Sequence, residues 1–246
     1  MNRSLTAAMD DRTSSIHARY EHRRGEIETY FDRTAADAWA RLTSTAPVGH
    51  IRATVRAGRD RMRQTLLGWL PEDLSGLRVL DAGCGTGAFA VEVARRGATV
   101  VAIDLSPTLV NLARERMPAE LRDQIEWRSG DMLDPALGQF DHVVGMDSLI
   151  HYQAEDAVRA VSALAERTTK SIAFTFAPGN PMLVTMRLVG RLFPQRNRAP
   201  WIVPIYEGDL RQRLATAAAL TNWKVAQTLR IKSGFYTSQA VELTLQ

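Results

Sequence analysis

The sequence predicts an α/β fold: a doubly wound, seven-stranded mixed sheet with an N-terminal helical lid and an apolar, basic insertion after the fifth strand. Three observations predict it. Strand-like and helix-like segments alternate from Leu77 onward. A glycine-rich turn, "VLDAGCGTGAFA", follows the first apolar strand. The chain then closes on "NWKVAQTLRIKSGFYTSQAVELTLQ", two strand-like runs joined through Ser233-Gly234, which is an antiparallel hairpin.

Taken in order, the first 70 residues read as a helical arm. Ile16, Tyr20, Ile27 and Phe31 recur at helical spacing, as do Ile51, Val55, Met62, Leu66 and Trp69, and Pro71 stops the second stretch. Residues 71–246 form the second unit. "LRVLDAG" is a strand, and "AFAVEVARRG" is a helix that Gly97 closes. "ATVVAIDLS" is a strand, followed by a helix near Ser106–Met117 with Pro107 in its first turn. "QIEWRSGDM", "FDHVVGMDS" and "KSIAFTFAP" are the third, fourth and fifth strands, the last preceded by a helix over Glu155–Arg167. From about 178 to 206 runs an apolar, basic stretch with five prolines, suited to a lid or a substrate-binding insertion.

Composition narrows the function classes. With 246 residues, 45% hydrophobic, the chain can bury one sizeable core. No apolar run reaches the roughly 20 residues that span a bilayer. An N-terminus without an apolar signal core and a single cysteine lead us to expect a cytoplasmic protein. The net charge is +4, and residues 1–70, with twelve Arg and eight acids, hold the whole excess. No acid occurs between Glu166 and Glu207, whereas Arg167, Lys170, Arg187, Arg191, Arg196 and Arg198 do. Such a field attracts an acidic small molecule, anionic lipid or nucleic acid.

The glycine turn says most about ligands. Gly83, Gly85 and Gly87 follow Asp81 in a G-x-G-x-G spacing, not the G-x-G-x-x-G that seats a dinucleotide pyrophosphate. An acid at this place suits a cation better than a diphosphate. Asp104, ending the second strand ahead of Leu105 and Ser106, is placed to accept both hydroxyls of a ribose. Asp131, after the third strand, is placed to accept from an adenine amine with Met132 beside the ring. Asp147, after the fourth strand, and Cys84, inside the turn, complete the expected cofactor contacts. The small size of Cys84 explains its place, without a nucleophilic role.

This set resembles the class I methyltransferases that use S-adenosylmethionine. Two acceptor classes fit poorly: "DSLIHY" after the fourth strand lacks the Pro-Pro-aromatic motif of base-amine methylation, and no magnesium-binding set for catechols is visible. "IETYFDRTAADAWARL", "VRAGRDRMRQTLLGWLP", "GDMLDPALGQFDHVVGMDSLIHY", "LFPQRNRAP" and "GFYTS" together resemble the magnesium-protoporphyrin IX O-methyltransferase family, over most of residues 26–240. The resemblance implies methyl transfer from S-adenosylmethionine to a propionate of magnesium-protoporphyrin IX. It also implies the large subunit of magnesium chelatase as a partner.

Further expectations follow for this chain. Arg196 or Arg198, or Arg191 one turn back, should grip the propionate that is not methylated. His151 should orient the reacting carboxylate or relay a proton, although the same histidine also suits a polar helix start. Tyr30 in "ETYFDRT" should close over the reacting atoms, with Arg33 and Trp39 in the same lid; core packing is its alternative. His17, His22, His50 and His142 look ordinary, no histidine pair has metal-ligand spacing, and no nucleic-acid partner is expected. The basic helix face at Arg52–Arg63 could touch anionic lipid, as a peripheral contact with the inner or photosynthetic membrane. Two rivals remain open: a methyltransferase for another acidic or phenolic small molecule, and a non-catalytic porphyrin- or RNA-binding regulator on this fold.

Overall fold

The computed structural model describes residues 19–32, 49–179 and 202–246. The insertion's Arg191, Arg196 and Arg198, and the lid residues Arg33 and Trp39, lie outside them. Helix α1 spans 19–32, and α2 spans His50–Trp69, ending where Leu70, ahead of Pro71, is forced extended at ψ 152°. Then follow β1 (Arg78–Ala82), α3 (Ala88–Arg95), β2 (Thr99–Asp104), α4 (Pro107–Arg116), β3 (Ile125–Ser129) and β4 (Phe140–Gly145). Helix α5 (Ala154–Ala165), β5 (Thr168–Phe176), α6 (Glu207–Thr216), β6 (Trp223–Ser233) and β7 (Tyr236–Leu245) complete the order.

The sheet has seven strands in the order β3-β2-β1-β4-β5-β7-β6. The first five are parallel and β7 runs antiparallel to both β5 and β6, so the anticipated reversed hairpin is present. Alternation along each inner strand feeds two cores. Val79 of β1 and Val100 and Ala102 of β2 face one side with Met62, Leu66 and Leu67 of α2. Leu80, Val101 and Ile103 face the other, with Tyr20 and Ile27 of α1 and residues of α5 and α6. Because the chain leaves β3 at one edge and returns to β4 beside β1, the order reverses between β1 and β4. A crevice opens at the carboxyl ends of strands at such a point.

Candidate active site

A hollow of about 540 Å³ lies at that crevice, roofed by α1 and walled on one side by α2. The loops after β1, β2, β3 and β4 all contribute to it, so Asp81, Asp104, Asp131 and Asp147 line one space. Asp81 is 1% exposed, and its Oδ2 has no hydrogen-bond partner among the described residues. Burial, and then the nearby Asp104 carboxylate, push its pKa up to about 7. A buried acceptor with nothing to accept from is expensive unless a ligand supplies the donor. Asp104 differs: its Oδ2 accepts from the Gly85 N–H at 2.8 Å and its Oδ1 from the Ser106 N–H at 3.0 Å. A carboxylate has about four acceptor positions, which leaves Asp104 two for a pair of hydroxyls.

The glycines have separate reasons. Gly83 sits at φ 89°, and a Cβ there would lie 2.5 Å from the Cβ of Ser148, whose buried hydroxyl also lacks a partner. Its smallness keeps the floor of the hollow low. Gly87 does not line the hollow; it is the N-cap of α3 at φ 79°, and a Cβ would meet Cη2 of Trp127 at 2.3 Å. Gly87→Ala should therefore act on packing, lowering unfolding free energy by about 2–4 kcal/mol in a urea titration. An unchanged midpoint would contradict the clash. Burial raises the Cys84 thiol well above its usual pKa, which keeps it from acting as a thiolate.

Two expected cofactor contacts turn out to be committed elsewhere. Ser106 is absent from the lining: its hydroxyl accepts from the Leu109 N–H at 3.2 Å, capping α4, and donates to Asp32. Leu105 beside it does line the hollow. Asp147 also lines it, held in the left-handed region at φ 55°. Its carboxylate takes Arg59 at 2.6 Å, Tyr236 at 3.1 Å, Thr175 at 3.2 Å and Ser238 at 3.3 Å. That saturates the carboxylate, so Asp147 braces Arg59 rather than offering an acceptor to a ligand.

Helix α1 closes the other side. Asp131 accepts from Tyr20 Oη at 3.1 Å, Arg24 at 2.9 Å and the Leu133 N–H at 2.9 Å, which leaves one acceptor position beside Met132. Tyr20 stacks on Tyr152 with ring centroids 5.3 Å apart. Arg19 grips Asp156 and Glu155, Arg23 donates to the His151 carbonyl at 2.9 Å, and Asp32 accepts from the Thr108 N–H. His151 is buried, lines the hollow, and has its ring 5.8 Å from that of Phe31. Tyr30 is not among the lining residues; it packs edge-on against Phe31, so the tyrosine that α1 sends into the hollow is Tyr20. Tyr20, Ile27 and Phe31 share one helical face, and Tyr30 is rotated about 100° from Phe31.

Of the basic field after Glu166, two described members are structural. Arg167 hydrogen-bonds the carbonyls of Met132 and Asp134, propping the loop that carries Asp131, and Lys170 pairs with Asp141. Sequence reading missed Tyr20, Thr86 and Ser148, and the inward turn of Arg56, Arg59 and Arg63. The stripe Tyr20–Ile27–Phe31 was the available signal for the first. Among the described residues, no cluster of three His, Cys, Asp or Glu is placed to hold a metal, and no helix is long and apolar enough to cross a membrane.

Comparison with known proteins bears on the family. Residues 145–245 match the model of the magnesium-protoporphyrin IX methyltransferase C-terminus, and residues 79–171 a general methyltransferase domain. The magnesium-protoporphyrin O-methyltransferase of Rhodobacter capsulatus is 49% identical over 224 residues, 91% of this chain and 97% of that relative. The chain belongs to the magnesium-protoporphyrin O-methyltransferase family. Family membership extends to the backbone. A crystal structure of the Synechocystis magnesium protoporphyrin IX methyltransferase with bound S-adenosylhomocysteine superposes with a TM-score of 0.77 at 28% identity. That match covers 89% of this chain and 98% of the other. The form with bound S-adenosylmethionine gives 0.75 at 26%, covering 91% and 97%.

Proposed function

We propose that this methyltransferase moves the methyl group of S-adenosylmethionine to a propionate carboxylate of magnesium-protoporphyrin IX, giving the monomethyl ester of (bacterio)chlorophyll synthesis. Near-full-length likeness at 49% identity to an enzyme named for that reaction carries the reading. The hollow fits the cofactor independently. The unpartnered Asp81 Oδ2 and Ser148 Oγ suit a charged, polar amino-acid end, and the two remaining acceptor positions of Asp104 suit vicinal ribose hydroxyls. Asp131 keeps one position for an exocyclic amine.

When bound, S-adenosylmethionine supplies an electrophilic methyl on a sulfonium. A propionate with an ordinary pKa near about 4.3 is already ionised at neutral pH, so proton removal is not the residues' main task. Opposite charges cancel as the methyl moves, and exclusion of water favours that change. Tyr20, Ile27, Phe31 and Leu105 provide the apolar cover. His151, whose carbonyl accepts from Arg23 and whose ring lines the hollow, is our candidate to hydrogen-bond the acceptor oxygen and fix its approach. The insertion's Arg191, Arg196 and Arg198 remain our candidates for the second propionate, on the strength of their charge in an apolar segment.

Two associations complete the proposal. The large subunit of magnesium chelatase is the partner we propose, as the family resemblance implies. Arg52, exposed on α2, could add about 1 kcal/mol near an anionic membrane. The reaction is tested by incubating pure protein with methyl-labelled S-adenosylmethionine and magnesium-protoporphyrin IX. Label should appear in the porphyrin and be released by alkali. A protein that binds the cofactor yet leaves the porphyrin unlabelled would refute the assignment.

A further inference from the structure

The basic wall of the hollow has no part in the nucleoside chemistry above. Arg56, Arg59 and Arg63 line it at positions i, i+3 and i+7, which is one face of α2. Packing sets that orientation. Thr54 and Gly58 lie on the far side of the helix: Gly58 is buried so close to Tyr236 that a Cβ would be 2.5 Å from its ring, and Ser233 Oγ donates to the Thr54 carbonyl at 2.7 Å. Helix α2 cannot roll without breaking these contacts, so its arginines are held toward the hollow.

The three arginines are not equivalent. Arg59 is bound to the saturated Asp147 carboxylate at 2.6 Å, and this pair forms a neutral pillar. Arg56 and Arg63 stand on either side of it, about 10 Å apart along the helix axis. Arg63 contacts Asp60 at 2.9 Å, but the Asp60 side chain is 49% exposed, so water competes for that pair and a ligand can replace it. Apart from the neutralised Asp147, the strand ends carry the acids Asp81, Asp104 and Asp131, the last already paired with Arg24. A carboxylate entering the hollow is therefore repelled by the strand ends and attracted to the α2 wall.

We propose that Arg56 and Arg63 form a binding site for a carboxylate that does not react. The restriction is chemical. A guanidinium gripping the attacking oxygen would draw off the charge that makes it nucleophilic, so the arginines serve a spectator. Under the methyl-transfer reading, on which this inference rests, two spectators exist: the carboxylate at the amino-acid end of the cofactor and the second propionate of the porphyrin. Both present the same planar, anionic group that an arginine fork holds through two hydrogen bonds.

The test compares the double variant Arg56→Ala/Arg63→Ala, its Lys/Lys counterpart, and Arg61→Ala, which is exposed on the same helix. Three quantities are read: Kd for S-adenosylhomocysteine, Kd for 5′-methylthioadenosine, which lacks the amino-acid end, and KM for magnesium-protoporphyrin IX. The Ala/Ala variant should raise the first or the third by about 10- to 100-fold and leave the methylthioadenosine Kd unchanged. Arg61→Ala should alter none, and Lys/Lys should recover part of the loss. A shift confined to S-adenosylhomocysteine places the cofactor's carboxylate at the site; a shift confined to KM places the propionate there. Equal weakening of methylthioadenosine would mean a collapsed hollow and would overturn the proposal, as would Ala/Ala values matching Arg61→Ala. A wild-type chain that binds neither nucleoside would instead overturn the methyl-transfer reading itself, and this site with it.

Discussion

Asp81→Asn is expected to stabilise the protein on its own at pH 8 while weakening its hold on S-adenosylmethionine by about 100-fold or more. Both effects come from one buried carboxylate. Its pKa is raised from 3.8 in the ordinary state to about 7 by burial and by Asp104. A raised acid favours the fold when protonated, so that contribution is complete below 3.8 and is lost as pH climbs through about 7. At pH 8 the native state carries the full cost of the buried charge, at most roughly 4 kcal/mol. Asn carries none of it, and the melting temperature should rise, by up to about 10 °C. The gain should shrink as the pH is lowered and vanish below the unfolded value. The bound cation, however, loses its counter-charge. Melting curves from pH 4 to 8, beside equilibrium dialysis, read both effects. A variant that is less stable at pH 8, or binds as wild type does, would contradict the role given to Asp81.

His151→Ala should lower kcat by about 100-fold with the cofactor Kd changed less than about 3-fold. The imidazole lies beside Phe31 of α1, and the acceptors assigned to the cofactor are carried by other residues, so cofactor contacts should survive its removal. What is lost is the hydrogen bond that fixes the propionate oxygen in line. Because the carboxylate needs no deprotonation, the variant's residual activity should keep the wild-type pH profile. An acid limb present in the wild type and lost in the variant would show His151 acting as a base. Wild-type turnover would remove it from the chemistry altogether.

The fold was legible because its signals are local. Alternating residues such as Val79 and Leu80, or Val101 and Ala102, announce strands buried on both faces, and Ser233-Gly234 between two such runs announces a hairpin. The acids Asp81, Asp104 and Asp131 were legible for the same reason: each ends a strand, and strand ends converge in this topology. What failed to show was whatever depends on how a helix is rolled. Arg56, Arg59 and Arg63 have a periodicity that fits a lipid-facing stripe as well as a cleft wall, and only the packing of Gly58 on Tyr236 decides between them. Tyr30 and Tyr20 pose the same problem on α1, where the apolar stripe turned out to face the ligand space. Asp147 reads as one more strand-end acid. Its partners Arg59 and Tyr236 are 88 and 89 residues away, beyond any local pattern. Arg191, Arg196 and Arg198 lie outside the described residues and keep their standing as candidates.

Titration of S-adenosylmethionine into the wild-type chain at pH 7, in buffers of differing ionisation enthalpy, addresses the central claim most directly. One molecule should bind per chain and protons should be released, because a cation beside Asp81 returns its pKa toward the ordinary carboxylate range. Binding without proton release, or no binding by dialysis, would contradict a hollow organised around that acid.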